Sequence, residues 1–595
     1  MVMALGMLVS CGDDAGTGNG GGTDKPGDND DTNVSGIYDT YWKETPINFQ
    51  LTEASDGKQF TAGTKRYYAG GNTSSTELID VSIRQRNSAA EKAAKVKINY
   101  SYLPDTSAND WSNSVDTILK NSTSYSAGKS IDIYCNFVYD LACASVKGCF
   151  ANLKANTAAT SASYGTGRNY FRFTASDYSF ETDPSKYFDS GVGEGYFYQY
   201  MLSLTLSDDK VYCLGSDYCT DLVRAFHVVP VNIELMNKID RTKLPVFSGV
   251  EFTDDMTNIQ YFYEAVWAGQ WNYETLLKFS KAVYQEAGTT VADGTPNADI
   301  TDVLGFGISA TGGLPASGIL YTSSVTIVNK EKLTAERKAA ILADTSDDTV
   351  VDGVTTDRGL AEYIAGDYLI TYPDANSSFT NYADALNSLF ERGTSQGVCV
   401  VDGTDNMNKI RSSFVAGRML FGSIISLGSL EDSDYQGMRQ GSGFGIVPVP
   451  VYQAGDEYQT FVHNNARIIA IARLTDRFEQ ITAYLDYQSR NSSDILEMYY
   501  NEELAQSLDG EVGNDNERML TYIRNHVRNV FDKTYEDVMG DFNGQTDQAA
   551  TYRRWHEILR LSKFQIPNMG TIYAERKDEK SSDLKNVIKA WNNLK

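Results

Sequence analysis

Two kinds of apolar pattern alternate along this sequence, and the alternation narrows the folds open to it. Between Lys92 and Leu103 the run Val96-Lys97-Ile98-Asn99-Tyr100-Ser101-Tyr102 alternates as a half-buried strand does. A helix-like stretch follows from Trp111 to Lys120, then a short strand at Ile131–Cys135, then a helical pattern from Ala142 to Leu153. Strand, helix, strand, helix is the signature of a parallel sheet with covering helices. Val211–Gly215 reads as a further short strand, and His227–Asn232 as a short apolar run. Trp271–Gly288 reads as an amphipathic helix with Leu276, Leu277, Phe279, Ala282 and Val283 on its apolar side. Asn272 is placed to cap it and Gly288 to stop it. Asp384–Phe390 looks helical and ends at Gly393, Phe444–Pro450 is extended, and Ile468–Ile471 is a strand. Helical patterns dominate from Gln480, through Met519–Val530, to Leu584–Leu594. No repeat of 20 to 50 residues argues for a solenoid or propeller. The expected body is α/β with a helical C-terminal third.

A chain of 595 residues has length for three or four domains at ~150 residues each. Its 41% hydrophobic and 22% charged residues are ordinary for a globular protein. The 52 basic and 78 acidic residues leave a net charge of −26, which repels phosphate backbones, so no nucleic-acid partner is expected. Beyond the start, no apolar run of about 18 residues suggests a spanning helix. Aromatics reach 12%, with 38 Tyr, a residue that suits strands and wet binding faces alike.

The N-terminus carries a different signal. Val2 to Val9 are apolar and are followed by Ser10 and Cys11, a pattern of secretory signals too short to span a membrane. Leu8-Val9-Ser10-Cys11 resembles a bacterial lipobox, in which the Cys thiol takes a diacylglycerol and becomes the new N-terminus. No Lys or Arg precedes the apolar run, which departs from that pattern. After Cys11 come many Gly and Asp residues and almost no apolar side chains until Ile37. Such a stretch cannot bury enough surface to offset its ordering entropy, so a flexible acidic tether is expected.

Catalytic and metal motifs find little support. Cys135, Cys143, Cys149, Cys213, Cys219 and Cys399 are widely spaced and His is scarce, against a Cys/His zinc site. Export would permit disulfides, and Cys213 with Cys219 is one possible pair, but buried free thiols are the favoured reading. Gly393-Thr394-Ser395-Gln396-Gly397 has nucleophile-elbow spacing, yet a helix precedes it and strand-like Val398–Val401 follows, the reverse of the required order. His556-Glu557 lacks a second His one turn on. A paired-carboxylate glycosidase stays open, since 78 acids offer many pairs.

Five segments, in order, resemble the extracellular solute-binding proteins of bacterial ABC importers, the family 1 carbohydrate type. They are Tyr212–Tyr218 with Val231-Asn232, Trp267–Tyr273, Asp302–Phe306, Phe414–Phe421 and Gly445–Pro450. The resemblance implies a two-lobe periplasmic-binding-protein-like II fold with a hinge between lobes and a helical C-terminal region. The chain would cross near His227–Asn232 and return near Phe461–Ala466. The implied divisions are a signal peptide at 1–10, a tether at 11–36, the first lobe at 37–230, the second at 231–462, the return at 463–545 and terminal helices at 546–595. Ligands of doubly wound sheets bind beyond the strands' carboxyl ends. That rule makes Trp111, Asn136, Tyr139, Asp217, Tyr218, Tyr321, Gly422, Ser423 and His463 the ligand-binding candidates. The expected partners are a small solute, an oligosaccharide first among classes, and the permease subunits of an ABC transporter. Neither cofactor, metal nor catalytic residue is expected. Localisation would be the extracellular face of the cell membrane, the periplasmic side if the host has two membranes, held through lipidated Cys11. A surface glycoside hydrolase, or a glycan-capturing lipoprotein feeding a porin-like transporter, is the alternative.

Overall fold

The computed structural model describes residues 45 to 594, apart from 54–68, 71–72, 105–110, 155–168, 172–196, 288–298, 310–317, 321, 323–326, 345–349, 352–353, 356–358, 374–379, 381–392, 394, 402–404, 439–442, 464–465, 505–512 and 528–568. The expected tether, Cys11 and the Asp384–Phe390 helix lie outside the described residues.

The first strands are β1 (Ile47–Glu53), β2 (Ile98–Pro104), β3 (Ile133–Phe137), β4 (Cys213–Leu214), β5 (His227–Asn232) and β6 (Leu304–Ser309). An insertion follows with β7 (Asn329–Lys332), β8 (Val350–Val351), β9 (Val354–Thr355), β10 (Ile364–Ala365) and β11 (Tyr368–Thr371). The series ends with β12 (Val398–Val401), β13 (Met419–Phe421), β14 (Ile425–Ser426), β15 (Phe444–Val447) and β16 (Arg467–Ile471).

These strands build two main sheets. The first has the order β2-β1-β3-β16-β4, with β1, β2 and β3 mutually parallel and β16 antiparallel to both β3 and β4. In β1 the alternation is strict: Ile47, Phe49 and Leu51 are fully buried while Asn48 and Gln50 point to the other face. The Leu78–Ala94 helix covers this sheet through Ile79, Ile83 and Ala90, and packs on the Phe478–Arg490 helix.

In the second sheet β12, β6 and β13 are parallel. β5 runs antiparallel beside them, and its Val231 pairs with Phe421 of β13 on one edge and Gly445 of β15 on the other. The Asn258–Trp267 and Tyr273–Val283 helices close its core, where Phe262, Trp271, Phe279 and Phe421 have ring centroids 5.0 to 6.1 Å apart. Trp271 Nε1 donates to the Pro448 carbonyl at 2.7 Å, so its one polar atom is satisfied in the core.

The two sheets belong to a two-lobe α/β architecture. The chain leaves the first sheet after β4 and enters the second at β5. It returns after β15 into β16. The two passages lie side by side: Phe226 bridges Val462 antiparallel, His227 N–H donates to the Phe461 carbonyl at 2.9 Å, and His463 N–H donates to the Ala225 carbonyl at 3.0 Å.

The insertion forms a three-stranded sheet, β10-β11-β7, over a small separate core of Leu333, Ile341, Ile364 and Leu369. The Met569–Asn592 helix pins it to the first lobe. Trp591 is buried, with Nε1 on Ser207 Oγ at 2.8 Å, while Asn592 Nδ2 reaches the Ile364 carbonyl at 2.7 Å.

Several element boundaries differ from the sequence reading. The helix expected at Ala142–Leu153 runs instead over Val138–Val146 and stops in a turn where Gly148 has φ +76°. Phe150, Ala151 and Leu153 continue the apolar pattern because they enter the core as loop, not as helix. The Trp271–Gly288 helix is shorter, Tyr273–Val283. Asn272 caps it as expected, its Oδ1 taking Thr275 N–H at 3.0 Å, but Tyr284 turns extended so that Gln285 can bridge Val303. Cys135, Cys143, Cys149, Cys213, Cys219 and Cys399 are all buried, and among the described residues no disulfide joins them.

Candidate binding crevice

Topology alone locates the crevice. β16 begins just after the returning passage and runs antiparallel to β3, so the passages meet the first sheet at the carboxyl end of β3. β5 begins just after the outgoing passage and runs antiparallel to β13, so they meet the second sheet at the carboxyl end of β13. Both sheets therefore turn their carboxyl ends toward the paired crossing, the position where open α/β sheets take ligands.

Side chains at the crossing form a buried charged chain. Arg224 ends the short Thr220–Arg224 helix. Its Nε and Nη2 hold the two Glu431 carboxylate oxygens at 2.7 and 2.8 Å, a bidentate pairing. Its Nη1 reaches Asp221 Oδ1 at 3.1 Å, and Asp221 Oδ2 accepts from Arg467 Nη1 at 3.0 Å. Tyr499 OH adds a third bond to Glu431, 2.7 Å from Oε1. Glu431 closes the 3-10 turn Leu427–Glu431, which follows β14 on the second sheet, whereas Arg467 opens β16 in the first. Arg224, Asp221 and Arg467 side chains are at most 2% exposed and Glu431 is 19% exposed. The guanidinium of Arg467 also lies 4.9 Å from the centre of the Phe137 ring. Its Nε and Nη2 have no hydrogen-bond partner among the described residues.

The candidates from sequence occupy varied settings. His463 is half-buried at the crossing, 6.0 Å ring to ring from His227, which itself packs edge-on against Phe461 at 4.6 Å. Gly422 and Ser423 follow β13 and are buried. They line a cavity of about 70 Å³ with Phe414 and Tyr435, and Ser423 Oγ has no hydrogen-bond partner among the described residues. A Cβ on Gly422 would come within 2.6 Å of Pro230 Cγ, so the close approach of β5 requires glycine there. Asn136 lies in β3 beside the crossing and is buried, with Oδ1 held by the Phe137 N–H at 2.7 Å.

Asp217 and Tyr218 are engaged elsewhere. The Asp217 carboxylate is bound by Arg524 through both Nε, at 3.2 Å, and Nη2. Burial pushes its pKa above the ordinary carboxylate value, against the pull of the Arg524 charge. This pair ties the Gly513–Asn525 helix to the loop after β4. Tyr218 is 1% exposed, and Arg86 packs on its ring and bonds its carbonyl at 3.2 Å. Trp111 and Tyr139 stand at the first turns of the Trp111–Ser122 and Val138–Val146 helices, each just beyond a strand of the first sheet; their side chains, and Tyr321 altogether, lie outside the described residues. The structure thus gathers Asn136, Gly422, Ser423 and His463 toward the crossing and commits Asp217 and Tyr218 to packing.

Sequence reading missed the charged chain. Its signal was present: Asp221 and Arg224 interrupt the apolar run Leu222, Val223, Ala225, and Arg467 interrupts Ala466-Ile468-Ile469. Charges inside apolar runs must be paired when buried.

A larger cavity, about 500 Å³, lies apart from the crossing, between the C-terminal helix and the inserted sheet, with Tyr363, Tyr372, Lys577 and Lys585 in its wall. Among the described residues no group of three or more His, Cys, Asp or Glu could hold a metal. No described helix is long and apolar enough to cross a membrane.

No family model matches the chain, and no curated protein does. Solved structures of similar chain course include the galacto-N-biose/lacto-N-biose I-binding protein of an ABC transporter from Bifidobacterium longum, with 9% identity and a TM-score of 0.43 over 93% of this chain and 99% of that one. Another is the cyclic alpha-maltosyl-1,6-maltose binding protein of Arthrobacter globiformis, with 10% identity and a TM-score of 0.42 over 91% and 99%. A third is the maltose-binding periplasmic protein of Listeria monocytogenes, with 11% identity and a TM-score of 0.41 over 92% and 97%. Scores this low leave strand order and the paired crossing as the basis for the fold.

Proposed function

We propose that this chain is the solute-binding component of an ABC importer, capturing a carbohydrate reversibly between its lobes and presenting it to a membrane permease. The observation that supports this best is the paired crossing, toward which both sheets turn their carboxyl ends. The five ordered sequence segments and the Tyr-rich composition favour a sugar, and an oligosaccharide in particular. Lipid attachment at Cys11, a tether over 11–36 and location on the outer membrane face belong to the same proposal. So do the lobe divisions at 230 and 462 and the participation of Trp111, Asn136, Tyr139, Tyr321, Gly422, Ser423 and His463 in the ligand site. No chemistry on the solute is part of it. A retaining or inverting glycosidase needs two carboxyls facing each other across the substrate. Asp217, Asp221 and Glu431 are instead each held by arginine.

Thermal-shift screening against sugars, peptides and polyamines tests the reading. A ligand at a hundred times its Kd stabilises the native state by about 2.7 kcal/mol, so a cognate oligosaccharide raises the melting temperature by several degrees. A shift with peptides alone sinks the carbohydrate assignment. Release of shorter products from the bound sugar sinks the non-enzymatic one.

A further inference from the structure

We propose that the chain Glu431–Arg224–Asp221–Arg467 is an inter-lobe latch that sets the angle of the binding crevice, with Glu431 as its releasable end. The proposal rests on the two-lobe capture reading and names the device that governs its closure.

Three observations converge on it. First, the chain spans the joint. Glu431 is carried by the second sheet's side, directly after β14, and Arg467 by the first sheet. Arg224 and Asp221 sit between them, immediately before the outgoing passage at Phe226. Second, the grip on Glu431 is concentrated. Arg224 Nε, Arg224 Nη2 and Tyr499 OH all converge on this one carboxylate within 2.8 Å. Tyr499 follows the Ser493–Met498 helix of the returned chain, so it approaches Glu431 from a second direction. Third, the chain is balanced in charge yet incompletely satisfied. Two arginines face two acids, but Arg467 Nε and Nη2 have no hydrogen-bond partner among the described residues. Burying unmet donors opposes the present arrangement, while the charge-assisted bonds favour it. Parting the lobes would let water reach these donors, which lowers the cost of an open arrangement. Glu431 is the member that reaches solvent, at 19% exposure, so water enters there first when the lobes part.

The test needs no solute. Glu431→Gln keeps the shape and removes the charge, and Tyr499→Phe removes one bond, guarding against a Gln variant that fails to fold. Small-angle scattering and hydrogen exchange are measured on unliganded wild type and variants. The amides to follow are His227, Leu427 and His463, which are bonded to Phe461, Phe226 and Ala225 across the crossing. Losing charge-assisted bonds worth about tenfold to a hundredfold in an equilibrium makes these amides exchange faster by that factor in Glu431→Gln. Tyr499→Phe moves them in the same direction by less. The radius of gyration rises, and the β1 and β2 amides keep their protection. Equal exchange at all three amides with superimposable scattering overturns the latch. So does uniformly faster exchange throughout, which would make the chain ordinary stabilising structure. Failure of every sugar to bind would strike the carbohydrate reading and leave these results untouched.

Discussion

Lys330 shows how one residue's surroundings set a measurable property. It lies on β7 with Nζ bonded to the Thr205 carbonyl at 3.0 Å and 4.7 Å from the centre of the Tyr368 ring. Burial pulls its pKa down to about 8, and the nearby Asp208 only partly opposes this. The unfolded chain holds that proton to about 10.5, so between the two values the unfolded state binds more protons and stability rises with pH. Denaturant titrations at pH 7.5, 8.5 and 9.5 should show wild type gaining stability, and Lys330→Met should flatten the gain. The same slope in the variant as in wild type would refute the assignment. The thiols are set in the same way. Burial raises Cys213 and Cys399 to about 12, so neither is a ready thiolate at neutral pH. A native-state thiol titration should therefore find none of the six buried cysteines reactive, and all six after denaturation. One reactive equivalent in the native protein would report Cys11 without its lipid. At this scale the sequence was only partly legible. Asp217 reads as a turn residue or a ligand-binding one, and nothing adjacent to it betrays Arg524, three hundred positions away.

At the scale of elements, close packing between a helix and a strand depends on a missing side chain. A Cβ on Gly305 would lie 2.0 Å from Ser280 Cα, so the Tyr273–Val283 helix sits directly on β6. Gly305→Ala must push the helix away and should cost about 2 kcal/mol or more. Gly417, with φ +73° and open space around it, should lose only about 1 kcal/mol on the same change. Equal melting temperatures for the two variants would mean that moving the helix costs no more than the backbone strain at Gly417. Where a short run is apolar throughout, sequence located the element well: the apolar run His227–Asn232 is the fully buried β5. β1 was legible too, since Ile47, Phe49 and Leu51 alternate cleanly, but it follows the low-complexity stretch and was not read. Helix ends failed where tertiary pairing outweighed the apolar pattern, as at Gln285 and Val303.

For the whole molecule, short apolar runs separated by helices made an α/β body legible. The join between lobes was legible only through the family resemblance, because it rests on backbone bonds such as His227 to Phe461 that no side-chain pattern encodes. The same join orders how the chain can fold during synthesis. β3 waits for β16, since Cys135 pairs with Ile469 about 330 residues later, a separation that slows sheet formation. The second sheet has no such wait, because β5 through β15 are contiguous. It can therefore form its core on the emerging chain while β1 to β3 remain an incomplete sheet with the β3 edge unpaired. A chain stalled before Arg467 would expose that edge, which makes the interval between β15 and β16 the point of greatest risk of aggregation, and the natural one for a holding chaperone.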